Sequence, residues 1–271
     1  TFVKGCDGCE HGYLRAKGAR RGALDEQEYE TANGDLQIHS TKDNNGNWIT
    51  FDFVLPRTMI GHVAHLPNKL SKTVFKHFED EKHKWQALSD PGGRQQYKIE
   101  LFRHDPGTEF DGDFKHGIGE ENIINVITEA KRKTSNQVIE AYHSRLQQRS
   151  AAIATTALGG ENDELREILR GELMSHAAFL RQHDQITARQ KELGLSAYQE
   201  QTGRKKTLED YELYTWGSLA YGYVYKTDRY GKVSARAVKG IWTGINDDET
   251  GTHRITPFSS KGGADGEWEF S

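Results

Sequence analysis

Ile123-Ile124-Asn125-Val126-Ile127-Thr128 is the stretch on which the fold turns. Five of these six residues are β-branched, and such side chains pack well on a pleated surface while losing rotamer freedom in a helix. A buried strand follows. Directly after it stand Glu129, Ala130 and Lys131; residues two apart on a strand share a face, so the carboxylate and the ammonium project together. The same residues admit a second reading. Ile123, Ile127, Ala130, Thr134, Val138 and Ala141 also fall on one face of a continuous helix, which would leave Glu129, Lys131, Arg132 and Lys133 as a solvated flank. The weak helix formers Thr134, Ser135 and Asn136 argue for the strand.

Working outward, Phe110-Asp111-Gly112-Asp113-Phe114 precedes this strand, with Gly117 and Gly119 between them, a hairpin-like spacing. If the two segments pair, Asp113 and Glu129 can grip one divalent cation through hard oxygen ligands while Lys131 steadies a water or a phosphate charge. The pattern resembles the PD-(D/E)XK nuclease superfamily, whose motif is an acidic residue, a glycine-containing turn and Glu-x-Lys at the end of a hydrophobic strand. The resemblance covers residues 111–146 only. Beyond the strand, Ser135-Asn136-Gln137 can cap a helix carrying Val138, Ile139, Tyr142 and Leu146 at helical spacing. It implies that Asp113 and Glu129 bind magnesium, that Lys131 is the catalytic lysine, that Gln137 is the glutamine found at the start of the following helix, and that the substrate is nucleic acid, DNA by preference.

The 271 residues suffice for one large domain or two small ones. With 35% hydrophobic and 28% charged residues and a net charge of −4, no global basic field marks a polycationic binder. Nucleic-acid contacts must then come from local patches. The sequence holds no apolar run of membrane-spanning length and no apolar core of a leader near its start. The expectation is therefore a cytoplasmic or intracellular protein without a membrane partner.

In chain order, Cys6, Cys9 and His11 have the spacing of half a zinc site, which His39, or His62 with His65, could complete; free thiols are the alternative. Residues 35–55 read as a hairpin around Asp43-Asn44-Asn45-Gly46-Asn47. A helix follows from Asn68 with Leu70, Val74 and Phe78 on one side, then a strand over residues 96–102. From Asn162 to Gly194 the apolar stripe reads as one long helix. Residues 211–245 read as a hairpin with Tyr221, Tyr223 and Tyr225 at strand spacing, decorated by Lys226, Arg229, Lys232 and Arg236. Those cations suit a phosphate backbone, or simply the wet side of an amphipathic sheet.

The expected fold class is α+β: a mixed sheet core with flanking helices, a long helical segment and a β-rich C-terminal part. The expected divisions are an N-terminal segment over 1–67, an α-β-β-β-α core over 68–158, a long amphipathic helix over 159–200 and a β-rich region over 201–271. Three functions fit. The first is a metal-dependent nuclease, and the second a self-assembling structural protein of the virion type. The third is a nucleic-acid-binding module without turnover. A homo-oligomer is expected from the long helical stripe.

Overall fold

The computed structural model describes residues 31–88, 98–128, 137–158, 163–223, 236–246, 252–259 and 269–270. Its centre is a sheet of five strands, β1 (Thr31–Ile38), β2 (Ile49–Leu55), β3 (Ile60–Leu66), β4 (Leu101–His104) and β5 (Ile124–Ile127), in the order β3-β2-β1-β4-β5. β1, β2 and β3 form an antiparallel meander, whereas β4 runs parallel to β1 and β5 parallel to β4. The chain crosses from edge strand β3 to β4 through α1 (Ser71–Leu88), and from β4 to β5 through a 3-10 turn (Thr108–Phe110) and α2 (Asp113–Glu120). The fold is α+β, as its residue patterns indicate.

Alternation along β2 divides the molecule into two layers. Phe51, Phe53 and Leu55 point to the side covered by α1 and α2, where they join Phe78, Phe102, Phe110 and Phe114 in one fully buried cluster. The rings interlock, with centroids 4.9 Å apart for Phe78 and Phe102 and 5.1 Å for Phe102 and Phe114. Val54 and Val63 point the other way, onto α3 (Gln137–Leu158) and α5 (Arg170–Gln182), where Ile139, Tyr142, Leu146, Met174 and Ala177 complete a second cluster. A short α4 (Asp163–Ile168) precedes α5, and α6 (Ala188–Leu193) and α7 (Ala197–Thr202) follow it. Both carry a capping box, through Thr187 with Gln190 and Ser196 with Gln199, and both end on a left-handed glycine.

A second antiparallel sheet follows: β6 (Leu219–Tyr223), β7 (Ala237–Ile245), β8 (His253–Ser259) and β9 (Glu269–Phe270). It docks through Trp242 and Ile245 onto Leu173 and Phe179 of α5 and Ala154 of α3.

The structure resolves the alternatives left by the sequence. Residues 124–127 are a strand, so a continuous helix running from Ile123 is excluded. The hairpin partner is wrong, however. Phe110 to Phe114 is not a strand but a 3-10 turn leading into α2, and β5 pairs with β4 instead. Phe110 and Phe114 are four apart and both enter the aromatic cluster, followed by Ile118 at the same interval; the spacing suits a helical path as well as a strand, and Phe114 and Ile118 lie one above the other on α2. Gly112, at φ 57, makes the bend, and the Phe114 N–H donates to Ser71 Oγ (2.8 Å), fixing α2 to the start of α1. The expected long helix over 162–194 is broken into α4, α5 and α6.

The aromatic layer is the main apolar anchor of the sheet, and Phe102 lies at its middle with no exposed surface. Phe102→Ala is expected to cost about 3–5 kcal/mol in urea unfolding, against less than about 1 kcal/mol for Ile124→Ala, since Ile124 is 49% exposed.

Candidate active site

The sheet face under α3 carries polar residues where a core would hold apolar ones. Asp52 sits within Ile49–Leu55, a strand buried along its whole length. Asp52 lies directly across from Asp35 in the β1–β2 ladder. On the other side of β1, Asn33 pairs with Arg103 of β4; carrying that parallel register two residues onward sets Asp35 beside Asp105. Likewise His104 pairs with Ile127, so the next step sets Asp105 beside Thr128, whose hydroxyl donates to Asp105 Oδ1 (2.6 Å). Asp52, Asp35, Asp105 and Thr128 thus form one row across four adjacent strands.

The strand alternation confirms which face this is. Phe102 and His104 turn into the aromatic layer, where the His104 ring lies 4.3 Å from that of Phe110, so Asp105 belongs to the opposite side.

Helix α3 lies over this row and adds a further carboxylate. Its buried residues Ile139, Tyr142, His143, Leu146 and Ser150 define the side turned to the sheet. The Tyr142 ring covers Gly61 of β3 so closely that a Cβ there would lie 2.3 Å from it. On the other flank Gln147 Nε2 donates to Gln37 Oε1 of β1 (3.2 Å). Glu140 stands about two turns before Gln147 on the same flank, in the first turn of the helix and exposed. Farther along, Gln147, Ser150 and Ala151 line a cavity with His39, just past the end of β1, so α3 runs in the direction of β1. Seven helical residues back from Gln147 span about 10 Å and two strand residues back from Gln37 about 7 Å, so Glu140 lies about one turn before His143, the residue that meets Asp52 across from Asp35.

The charges in this row disturb one another. Burial pushes the Asp35 carboxyl up from 3.8 to about 6; the Leu36 N–H (2.8 Å to Oδ1) opposes the rise, and the charges of Asp105 and Asp52 add to it. Asp52 is likewise raised by burial, opposed by His143, whose Nδ1 donates to Asp52 Oδ2. Carboxylates held together against their mutual repulsion are what a divalent cation relieves, and their hard oxygens match magnesium or manganese. Asp35 and Asp105 offer oxygens of that kind side by side, and Asp105 and the nearby helical Glu140 are open to solvent.

Asp113, expected as a metal ligand on a strand, is instead exposed in the first turn of α2. Gln137 is the first residue of α3 and half-buried, one turn before Glu140. Glu129, Lys131, Cys6, Cys9, His11, Lys226, Arg229 and Lys232 lie outside the described residues. Arg236 is exposed beside β7, whose partner β6 also exposes Tyr221 and Tyr223. The histidines considered as completing a zinc site have other partners: His39 the Thr50 hydroxyl at 2.7 Å, His62 the Glu81 carboxylate at 3.0 Å, His65 the Ser175 hydroxyl at 3.2 Å. The oxygens of Asp35, Asp105 and Glu140 stand farther apart than 4.8 Å; among the described residues the group whose ligand atoms all lie within that distance of one another is Glu79, His83 and Glu121. Its Glu121 is already ion-paired with Lys82.

Sequence reasoning missed Asp35, Asp52, Asp105 and Glu140. Asn33-Gly34-Asp35 and Asp105-Pro106-Gly107 look like turn residues, and Glu140 looks like helix surface. The available signal was Phe51-Asp52-Phe53-Val54, a carboxylate inside an otherwise apolar strand.

No family model and no curated protein matches the chain. Among solved structures it is similar to the catalytic core domain of BIV integrase, with a TM-score of 0.44 and 13% identity over 64% of this chain and 93% of that one. The catalytic core domain of HTLV-2 integrase, solved with magnesium in a trimeric form, gives a TM-score of 0.44 and 13% identity over 66% of this chain and 98% of that one. A likeness of this size carries no weight for function, which is argued below from the residues of this chain.

A carboxyl whose pKa is higher folded than unfolded holds its proton more tightly in the folded state. Its contribution is complete below the unfolded value and lost as pH rises to about 6. In metal-free buffer, Asp35→Asn should therefore stabilise the protein by up to about 3 kcal/mol at pH 7.5, and the gain should vanish below about pH 4. Thermal unfolding at both pH values checks this; an Asn variant less stable than wild type at pH 7.5 would contradict the electrostatic account.

Proposed function

We propose that the chain is a metal-dependent enzyme that breaks or exchanges phosphodiester bonds of nucleic acid, with Asp35, Asp105 and Glu140 holding the ion. What carries this reading is the lateral row of carboxylates on one sheet face, reached by a further carboxylate from the helix above it. Such a row costs stability, because burial and like charges drive Asp35 toward protonation. Carboxylates whose pKa values are shifted by burial and by one another mark a candidate functional site.

When bound, magnesium would neutralise charge on the scissile phosphate and lower the pKa of an attacking water or hydroxyl. The residues of the chain do the rest. Thr128 donates to one oxygen of Asp105. The Leu36 N–H holds one oxygen of Asp35 in the same way, so both carboxylates enter the site already oriented. Glu140, on a different element, closes the set from above. Above about pH 6 Asp35 is ionised without the metal; below it, proton and metal compete for the same oxygens.

A strand of nucleic acid crossing this face needs cationic and aromatic contacts away from the reacting phosphate. The exposed Tyr221 and Tyr223 with Arg236 offer them on the second sheet.

Plasmid, single-stranded DNA and RNA, each incubated with Mg²⁺ or Mn²⁺ and with EDTA, test the proposal. Metal-dependent turnover is expected. Asp35→Asn, Asp105→Asn and Glu140→Gln should each lower it on the order of 10³-fold without loss of thermal stability, whereas Asp113→Asn should leave it unchanged. Turnover that survives Asp35→Asn, or no turnover on any of the three substrates, would overturn the reading.

A further inference from the structure

We infer that the buried Asp52–His143 contact positions Glu140 against Asp35 and Asp105, making the two residues positioning residues for the ion site rather than part of the core alone. The inference rests on the proposed function for what Glu140 does, but its geometry stands independently.

Asp52 is 1% and His143 3% exposed. Burying two ionisable groups costs several kcal/mol each before their attraction is counted, and well-packed apolar residues of similar volume commonly do as well or better for stability. Their neighbours show what the position could have held: Val54 on the same strand face, and Ile139 and Leu146 on the same helix, are apolar and fully buried. Stability alone does not account for a carboxylate and an imidazole there.

Their placement does. Asp52 is the cross-strand partner of Asp35, and His143 follows Glu140 by one turn of α3. The contact therefore joins the strand layer bearing Asp35 to the helical turn bearing Glu140 at the point where the two must keep a fixed separation. Around it, Ile139, Tyr142 and Leu146 pack against the sheet and α5, with the Arg181 guanidinium over the Tyr142 ring at 5.3 Å; apolar packing resists separation more than small slides or rotations. The exposed Gln147–Gln37 bond is neutral and 3.2 Å long. The Asp52–His143 bond is directional and buried, and among the described residues Nε2 of His143 has no hydrogen-bond partner, so Nδ1 is the polar anchor of the ring. A shift of about 1 Å in a first-turn carboxylate is enough to spoil ion coordination and catalysis.

Isothermal titration with Mn²⁺ in the absence of nucleic acid provides a readout separate from turnover. The double variant Asp52→Leu/His143→Leu replaces the pair by apolar residues and should retain or exceed wild-type thermal stability while binding Mn²⁺ roughly 10- to 100-fold more weakly. His143→Asn, whose amide can stand in for the Nδ1–H, should recover most of the affinity. In a cycle with Glu140→Ala, adding His143→Ala should cost nothing further, since the ligand it positions is already gone.

Wild-type Mn²⁺ affinity in the double-Leu variant, or fully additive losses in the cycle, would overturn the inference. The two readings fail differently. Asp35→Asn binding Mn²⁺ as tightly as wild type would remove the ion site itself and this inference with it; a strong Asp35→Asn effect beside wild-type affinity in the double-Leu variant would remove the positioning role alone.

Discussion

The structure depends on the position of β1 between an antiparallel neighbour and a parallel one. Antiparallel pairing fixes Asp35 opposite Asp52, and parallel pairing with β4 carries Asp105 to its other side. Because side chains alternate strictly along a strand, a slip of one residue in either ladder would send one carboxylate into the aromatic layer instead. Register is thus a condition for the site, and it is held from the opposite face: Phe51 and Phe53 on β2 and Phe102 on β4 are locked into rings from α1 and α2. A dry aromatic layer on one side specifies where the acidic groups stand on the other.

The two faces answer to different demands. On the aromatic side, burial of apolar surface is uncompensated gain, and phenylalanine recurs because tilted and edge-on ring contacts fill the space between a twisted sheet and two helices. On the α3 side, part of the same burial works against folding, because Asp35 and Asp52 are driven upward by desolvation. A protein selected for stability alone would have little use for that arrangement; one that must bind a cation gains from it each time the ion arrives.

Much of the fold was legible in the residues. The β-branched run at 123–128 identified a strand, though one at the sheet edge with Ile124 and Ile127 exposed rather than buried, the turn cluster at 43–47 identified the β1–β2 hairpin, and the aromatic and β-branched C-terminal region identified the β6–β7 pair. The site was not legible, for a physical reason. Carboxylates that meet across three strands have no characteristic spacing along the chain, since β2 and β4 are separated by a helix and a third strand. The Glu-x-Lys pattern after β5 drew attention because it is local. Asp113 looked plausible because Phe110, Gly112 and Phe114 satisfy a two-residue period as well as a four-residue one, and only the aromatic cluster chooses between them.

The convergence of Asp35, Asp105 and Glu140 on one ion is the central claim, and the most direct test is anomalous diffraction from crystals of the full chain soaked in Mn²⁺. The account predicts a peak bridging the carboxylates of Asp35 and Asp105, with Glu140 turned toward it. A dataset with no peak there, or with its peak at Asp113 or at the Glu79, His83 and Glu121 group, would contradict it.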